Sequence, residues 1–211
     1  MLTKALTKAL CSACCAGDAA EVSILLAIGE PCCLPHGSMA VDLAIENGTT
    51  PLLSACAHGH AGVAAVLLAA GAEVDKKMQD NPTPVVVACM KGHLACVKLL
   101  SCYGADRTEE VNGCDVHFVA EQRGKYNVSA WLRLSREWSS PLHHLGVISA
   151  GQARDLLRAG ADLEAAAREG GPTPLSLARV LGEAGKATDD SAAQLVLRAA
   201  EPWSPESHCW M

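Results

Sequence analysis

Apolar positions recur along the middle of the chain with the spacing of short helices, and the pattern repeats. Val63, Leu67 and Leu68 fall on one stripe of a helix, and so do Cys96, Val97 and Leu100 about one period on. Each stripe is preceded by a second, shorter apolar stretch, Leu52 to Cys56 and Val85 to Cys89. The spacing therefore predicts paired helices, each pair with one apolar side. Thr50 to Gly71 and Thr83 to Gly104 align position for position at an offset of thirty-three residues. Thr-Pro meets Thr-Pro, Ala55-Cys56 meets Ala88-Cys89, Gly59-His60 meets Gly92-His93, and Leu67 meets Leu100. A shared period of this length signals a repeat architecture.

Each matched residue has a physical task. Thr50 and Thr83 are expected N-caps, whose hydroxyls accept from a free helix N–H. Pro51 and Pro84 stand at the first helical position, where the missing N–H costs nothing. Ala55 and Ala88 let two helices approach closely. Gly59 and Gly92 are expected to end the first helix in a left-handed cap, with Gly71 and Gly104 ending the second. His60 and His93 are expected to bond backbone within the turn. A helix pair of this size cannot bury its own apolar face and must stack on neighbours.

Thr-Pro-Leu, Ala-Cys, Gly-His, a pair of Leu and Gly-Ala together resemble the ankyrin repeat. The resemblance extends over residues 3–200 and implies an all-α solenoid of about six helix–turn–helix units with short β-hairpin finger loops. The units fall near 3–29, 50–71, 83–104, 115–134, 140–160 and 173–200, with a tail at 201–211. The first unit lacks Thr-Pro and carries Lys4 and Lys8, which suits a capping repeat with one wet face. Glu30 to Ser38 is an irregular insertion. Asn47-Gly48 is a turn signal for a finger tip, and Met78, Gln79 and Asp80 are placed near the next tip. Unit four is degenerate: Asp115 stands for Thr, His117 is shifted by one position, and Arg133 replaces the second Leu. Unit five opens with Ser140-Pro141-Leu142-His143 but has Val147-Ile148 where Gly-His is expected. Unit six carries an insertion, Gly182 to Asp190, that delays its second helix to about Ser191–Ala200. The Trp203-Ser204-Pro205 segment loosely resembles one that follows ankyrin arrays in some microbial eukaryotes, and a longer parent protein is an expectation there.

Composition agrees with close helix stacking: half of the 211 residues are apolar, yet there are one Phe and two Tyr. Net charge is −6 with no basic stripe long enough for nucleic acid or an anionic membrane. No apolar run reaches the ~18 residues of a membrane span. The N-terminus, interrupted by Lys4 and Lys8, reads as an amphipathic helix rather than a signal peptide. Eleven Cys without an export signal point to a reducing, cytoplasmic or nuclear setting and free thiols. The Asn47 and Asn127 sequons are then incidental.

Cys11, Cys15, Cys32, Cys33 and His36 are the candidate metal- or redox-responsive set. Cys14 drops out because it shares a repeat position with Cys56 and Cys89, where cysteine acts as a small apolar residue. The remaining five lack a two-knuckle spacing, so no metal and no cofactor are expected. His143 falls where the family's His bonds backbone within the repeat. No Gly-rich phosphate loop and no ordered nucleophile–base set is present, so no enzyme is expected.

The resemblance implies a non-catalytic module that binds a protein partner along a concave face of finger tips and first-helix ends. The matching positions are Asn47, Thr49, Ala57 and His58; Gln79, Asp80, Pro82, Met90 and Lys91; and Gln122 and Arg123. A substrate adaptor of a ubiquitin ligase is the other reading by resemblance. It would call for a helical adaptor-binding box after the repeats, which the residues after 200 are too few to hold.

Overall fold

The computed structural model describes residues 2–28, 40–45, 48–77, 82–108, 110–111, 114–136, 138, 140–164, 171–183 and 191–200. The chain divides into two units, 1–134 and 135–211.

Unit 1 is built from four helix pairs: α1 (Leu2–Ala16) with α2 (Ala19–Ile28), α3 (Pro51–His58) with α4 (Ala61–Ala69), α5 (Pro84–Lys91) with α6 (Leu94–Cys102), and α7 (Val116–Gln122) with α8 (Tyr126–Leu134). The first helices stack in one layer, α1 on α3 on α5 on α7. The second helices stack in another, α2 on α4 on α6 on α8. One finger is a formed hairpin: β1 (Glu110–Val111) runs antiparallel to β2 (Cys114–Asp115). At the finger before α3, Gly48 takes a φ of 80° and Ile45 N–H donates to Thr49 O at 3.1 Å, as its turn signal requires. Asn47, Met78, Gln79 and Asp80, and the Glu30–Ser38 insertion, lie outside the described residues.

The core lies between the layers. Ala55, Ala88 and Ala120 are fully buried, and their small size lets the first helices meet. Leu67 and Leu100 are fully buried on the second helices, each burial stabilising by about 1.5–3 kcal/mol. Cys14, Cys56 and Cys89 are likewise sealed, in keeping with a packing role.

Helix starts and stops follow local chemistry. Thr50 Oγ1 accepts from Leu53 N–H at 3.2 Å. Thr83 departs from expectation: its buried hydroxyl caps nothing, and the backbone alone opens α5, through Val87 N–H donating to Thr83 O at 3.1 Å. Asp115 does the work of the missing threonine in the degenerate repeat, accepting from Phe118 N–H at 2.7 Å. Gly59 and Gly92 end α3 and α5 at φ 81° and 87°, the left-handed conformation only glycine adopts cheaply.

Two sets of cross-repeat bonds fix the register. The Asp42 carboxylate accepts from Glu73 N–H at 3.1 Å, and one period later Asp75 accepts from Asp106 N–H at 3.1 Å. His60 and His93 make the second set, and here expectation needs correcting. Their bonds do not stay within the turn. His60 Nε2 donates to Cys15 O at 3.0 Å and His93 Nε2 to Ala57 O at 3.3 Å, each in the preceding repeat. A left-handed glycine leaves room for that ring, because no Cβ stands in the way.

Unit 2 contains α9 (Ala150–Arg158), α10 (Pro174–Glu183) and α11 (Ala192–Ala200), with α11 packed on both others. The fifth repeat does not form a full first helix. Pro141–His144 is a single 3-10 turn, and α9 starts separately at Ala150, where Ser149 and Gln152 close a capping box. His143 is buried in this unit. Ser140 N–H donates to its Nδ1 at 3.2 Å, and its Nε2 donates to Pro172 O at 3.1 Å. Burial holds this imidazole below its ordinary 6.5, against the opposing pull of the bonds to Ser140 and Pro172.

Two outcomes are expected. Gly59→Ala and Gly92→Ala share a left-handed strain of ~1 kcal/mol or more. At Gly59 the added Cβ would also stand 2.5 Å from His93 Nδ1, a ring held by its bond to Ala57 O. At Gly92 it meets Lys125 Cδ at 2.7 Å, an unbranched chain that can swing aside. Thermal melts should therefore show the larger loss for Gly59→Ala, and equal losses would mean that the His93 ring yields freely. For His143 the unfolded chain takes up a proton first as pH falls below about 6.5. Stability is thus complete above that pH and is lost as pH falls toward and through the depressed folded value. Protection of the amides at residues 140–145, taken relative to their intrinsic exchange rate at each pH, should fall as pH drops below about 6.5, and His143→Gln should remove that dependence.

Candidate interaction surface

The first helices of unit 1 have little left to offer outside. Leu52, Leu53, Ser54, Ala55 and Cys56 of α3 are all buried, and Val85, Val86, Ala88 and Cys89 of α5 are buried too. On α3 and α5 the outward positions lie at the helix ends, just before each stop glycine, at Ala57-His58 and Met90-Lys91; α7 offers the matching Gln122-Arg123 and an exposed Phe118 as well. Because α3, α5 and α7 are neighbours in one layer, these pairs form a row across repeats two to four. His58, Lys91, Gln122 and Arg123 are exposed, while Ala57 and Met90 are half-buried. Met90 packs partly against the core, which reduces the surface it offers a partner. Thr49 and Pro82 are half-buried and stand just before the opposite, N-terminal ends of α3 and α5.

His58 is exposed but fixed. Its Nδ1 donates to Ser54 O at 2.9 Å, one turn back on its own helix. Its ring lies parallel to that of His60, with centroids 6.2 Å apart and planes 7° apart. A side chain held in this way loses less entropy when a ligand meets it than a free one does.

Several surface groups escaped the sequence reading, half-buried Lys125 first among them. Lys125 follows Gly124 at the position held by His60 and His93, and its aliphatic chain lies over Gly92 as those rings lie over Gly17 and Gly59. The matched period could have revealed it. Tyr126 and Leu134 are exposed. His117, displaced by one residue, accepts from Arg133 Nε at 2.7 Å, and Arg133 reaches Glu121 at 3.6 Å. That network ties α7 to α8 and accounts for the arginine in place of the second leucine.

The cysteine set divides. Cys32, Cys33 and His36 lie outside the described residues. Cys11 is buried, its thiol points at Thr49 O at 3.9 Å, and burial first, then the neighbouring Cys15, pushes it up to about 11. Cys15 is exposed and lies 3.1 Å from Ser54 Oγ. Burial pushes Cys14, Cys89 and Cys102 up to about 12, so at neutral pH they are protonated thiols rather than thiolates. Among the described residues no group of three or more His, Cys, Asp or Glu side chains is placed to hold a metal ion. No helix among them is long and apolar enough to cross a membrane.

No curated protein matches the chain. The family model of the ankyrin repeat matches residues 47–79, the span that contains Thr50, the Gly59 stop, α3 and α4. In unit 1 the helix pairs before and after that span stack in the same two layers with the same glycine stops, and His93 repeats the cross-repeat bond of His60. Residues 47–79 are thus an ankyrin repeat, and the other helix pairs of unit 1 are stacked on it to the same plan.

Proposed function

We propose that the chain is a non-catalytic interaction module that binds a protein partner through the concave face of unit 1. Ankyrin repeats are in general protein–protein interaction modules. One observation carries the reading for this chain. Packing and cross-repeat bonding consume most side chains of α3 and α5, and their outward ones recur, with Gln122 and Arg123 at the end of α7, at one repeat position with different chemistry each time. Interfaces draw their energy from a few anchors, with Met and Arg among the favoured types. Here Met90 and Arg123 would be such anchors, flanked by His58, Lys91 and Gln122. Asn47, Thr49, Ala57, Gln79, Asp80 and Pro82 would extend the face toward the fingers.

The test compares affinity capture from lysate by the native chain and by a variant with His58, Met90, Lys91 and Arg123 changed together to Ala, both shown to be folded by circular dichroism. The expected result is a protein captured by the native chain and lost by the variant. The same proteins captured by both would place binding elsewhere on the chain.

A further inference from the structure

The four turns that end the first helices of unit 1 differ in charge. In the first repeat, Gly17 is flanked by Ala16 and Asp18, and Asp18 is spent in accepting from the N–H groups of Ala20 and Glu21. In the next three, the glycine has a base on each side: His58 and His60, Lys91 and His93, Arg123 and Lys125. No carboxylate lies in these three turns, although the whole chain carries −6.

A cation at a helix C-terminus is favoured by the helix dipole, which accounts for Lys91 and Arg123 taken singly. Lys125 is different. Its carbonyl accepts from Val128 N–H and so opens α8, which puts its ammonium at the helix end where positive charge is disfavoured. His60 and His93 stand at the same place, but their ring nitrogens are occupied by carbonyls of the preceding repeat. Lys125 instead sends its chain across Gly92, with Cγ and Cε each 3.2 Å from where a Cβ would be, and so lies beside Lys91. Among the described residues the side chains of Lys91, Arg123 and Lys125 take part in no hydrogen bond or ion pair. Lys125 thus brings a second positive charge to the turn of Lys91, with Arg123 in the next turn, and among the described residues no carboxylate pairs with any of the three.

We infer that this cluster is the docking site for a carboxylate-rich, extended segment of a protein partner. The inference rests on the interaction-module reading and names the chemistry of its partner. Stacked helices lie about 8–10 Å apart, and two residues of extended chain advance about 6.6 Å. Carboxylates two to three residues apart therefore keep step with the repeats. Lys91, Lys125 and Arg123 supply the positive charge, and His58, already fixed by Ser54 O, extends the row toward the second repeat. A long uniform polyanion such as a nucleic acid meets the net negative charge on the rest of the chain. A segment with a few carboxylates meets only the row.

The experiment measures binding of a fluorescein-labelled peptide of roughly ten residues, alternating Asp and Ser, to the purified full chain. The same peptide with Asn for Asp and a single-stranded oligonucleotide of equal charge are the comparisons. The Asp peptide is expected to bind, to weaken roughly tenfold or more between about 0.05 and 0.5 M salt, and to exceed both comparisons. Lys91→Glu, Arg123→Glu and Lys125→Glu together should weaken it roughly tenfold or more. Lys8→Glu, Arg154→Glu and Arg179→Glu together, the same charge change at exposed sites elsewhere, should leave most of the binding. Absence of Asp-peptide binding, equal loss in both triple variants, or tighter binding of the oligonucleotide would each overturn the inference. If lysate capture is lost with the alanine variant while the Asp peptide does not bind, the module reading stands and the acidic partner falls. If neither responds, both fall.

Discussion

Each repeat of unit 1 is finished by the next one. The glycine that stops a first helix leaves a bare turn, and a side chain from the following repeat closes over it: His60 over Gly17, His93 over Gly59, Lys125 over Gly92. The constraint works in both directions. The glycine is needed for its left-handed backbone and for the absence of a Cβ, and the ring is needed because the carbonyl two residues earlier would otherwise lack that donor. The Asp42 and Asp75 carboxylates do the same at the fingers, each holding an N–H of the next unit. Hydrophobic burial supplies most of the energy that holds the layers together, but it is non-directional. These bonds set the step from one repeat to the next, and so the positions at which His58, Lys91 and Arg123 emerge.

Much of this was legible in the residues. The helix pairs, the glycine stops, Asp115 as a surrogate cap and the packing role of Cys14, Cys56 and Cys89 all follow from a period read one residue at a time. What a period cannot reveal is which neighbour a side chain reaches. His60 and His93 look like local turn residues because each sits beside its own glycine, yet they act on residues 45 and 36 positions back. The 3-10 turn at Pro141–His144 was hidden for a related reason. Its opening, Ser140-Pro141-Leu142-His143, matches the pattern of a full first helix, while the chain there forms one 3-10 turn. At the candidate surface, position in the repeat identified the exposed pairs and puts Lys125 at the imidazole position, but only contact geometry showed its chain lying over Gly92.

That replacement shows how one repeat position can serve two ends. An imidazole there closes the array and gives its bonding capacity to it. A lysine covers the same glycine with methylenes and keeps its charge outside. Exchange at this one position turns a purely internal contact into a surface feature without altering the fold.

The sealed thiols have a consequence for the life of the chain before it folds. Cys14, Cys56, Cys89 and Cys96 are inaccessible once the layers close, and burial keeps Cys14 and Cys89 protonated. In the unfolded chain all of them are exposed and ionise as ordinary thiols do. Oxidation at that stage would join pairs such as Cys14 on α1 and Cys89 on α5, helices that α3 separates in the folded layer, and each such link would have to be undone before the layers could assemble. The order of events therefore matters. The array protects its cysteines only after it exists, so its assembly competes with oxidation, and a reducing environment favours the folded product by kinetics as well as by equilibrium.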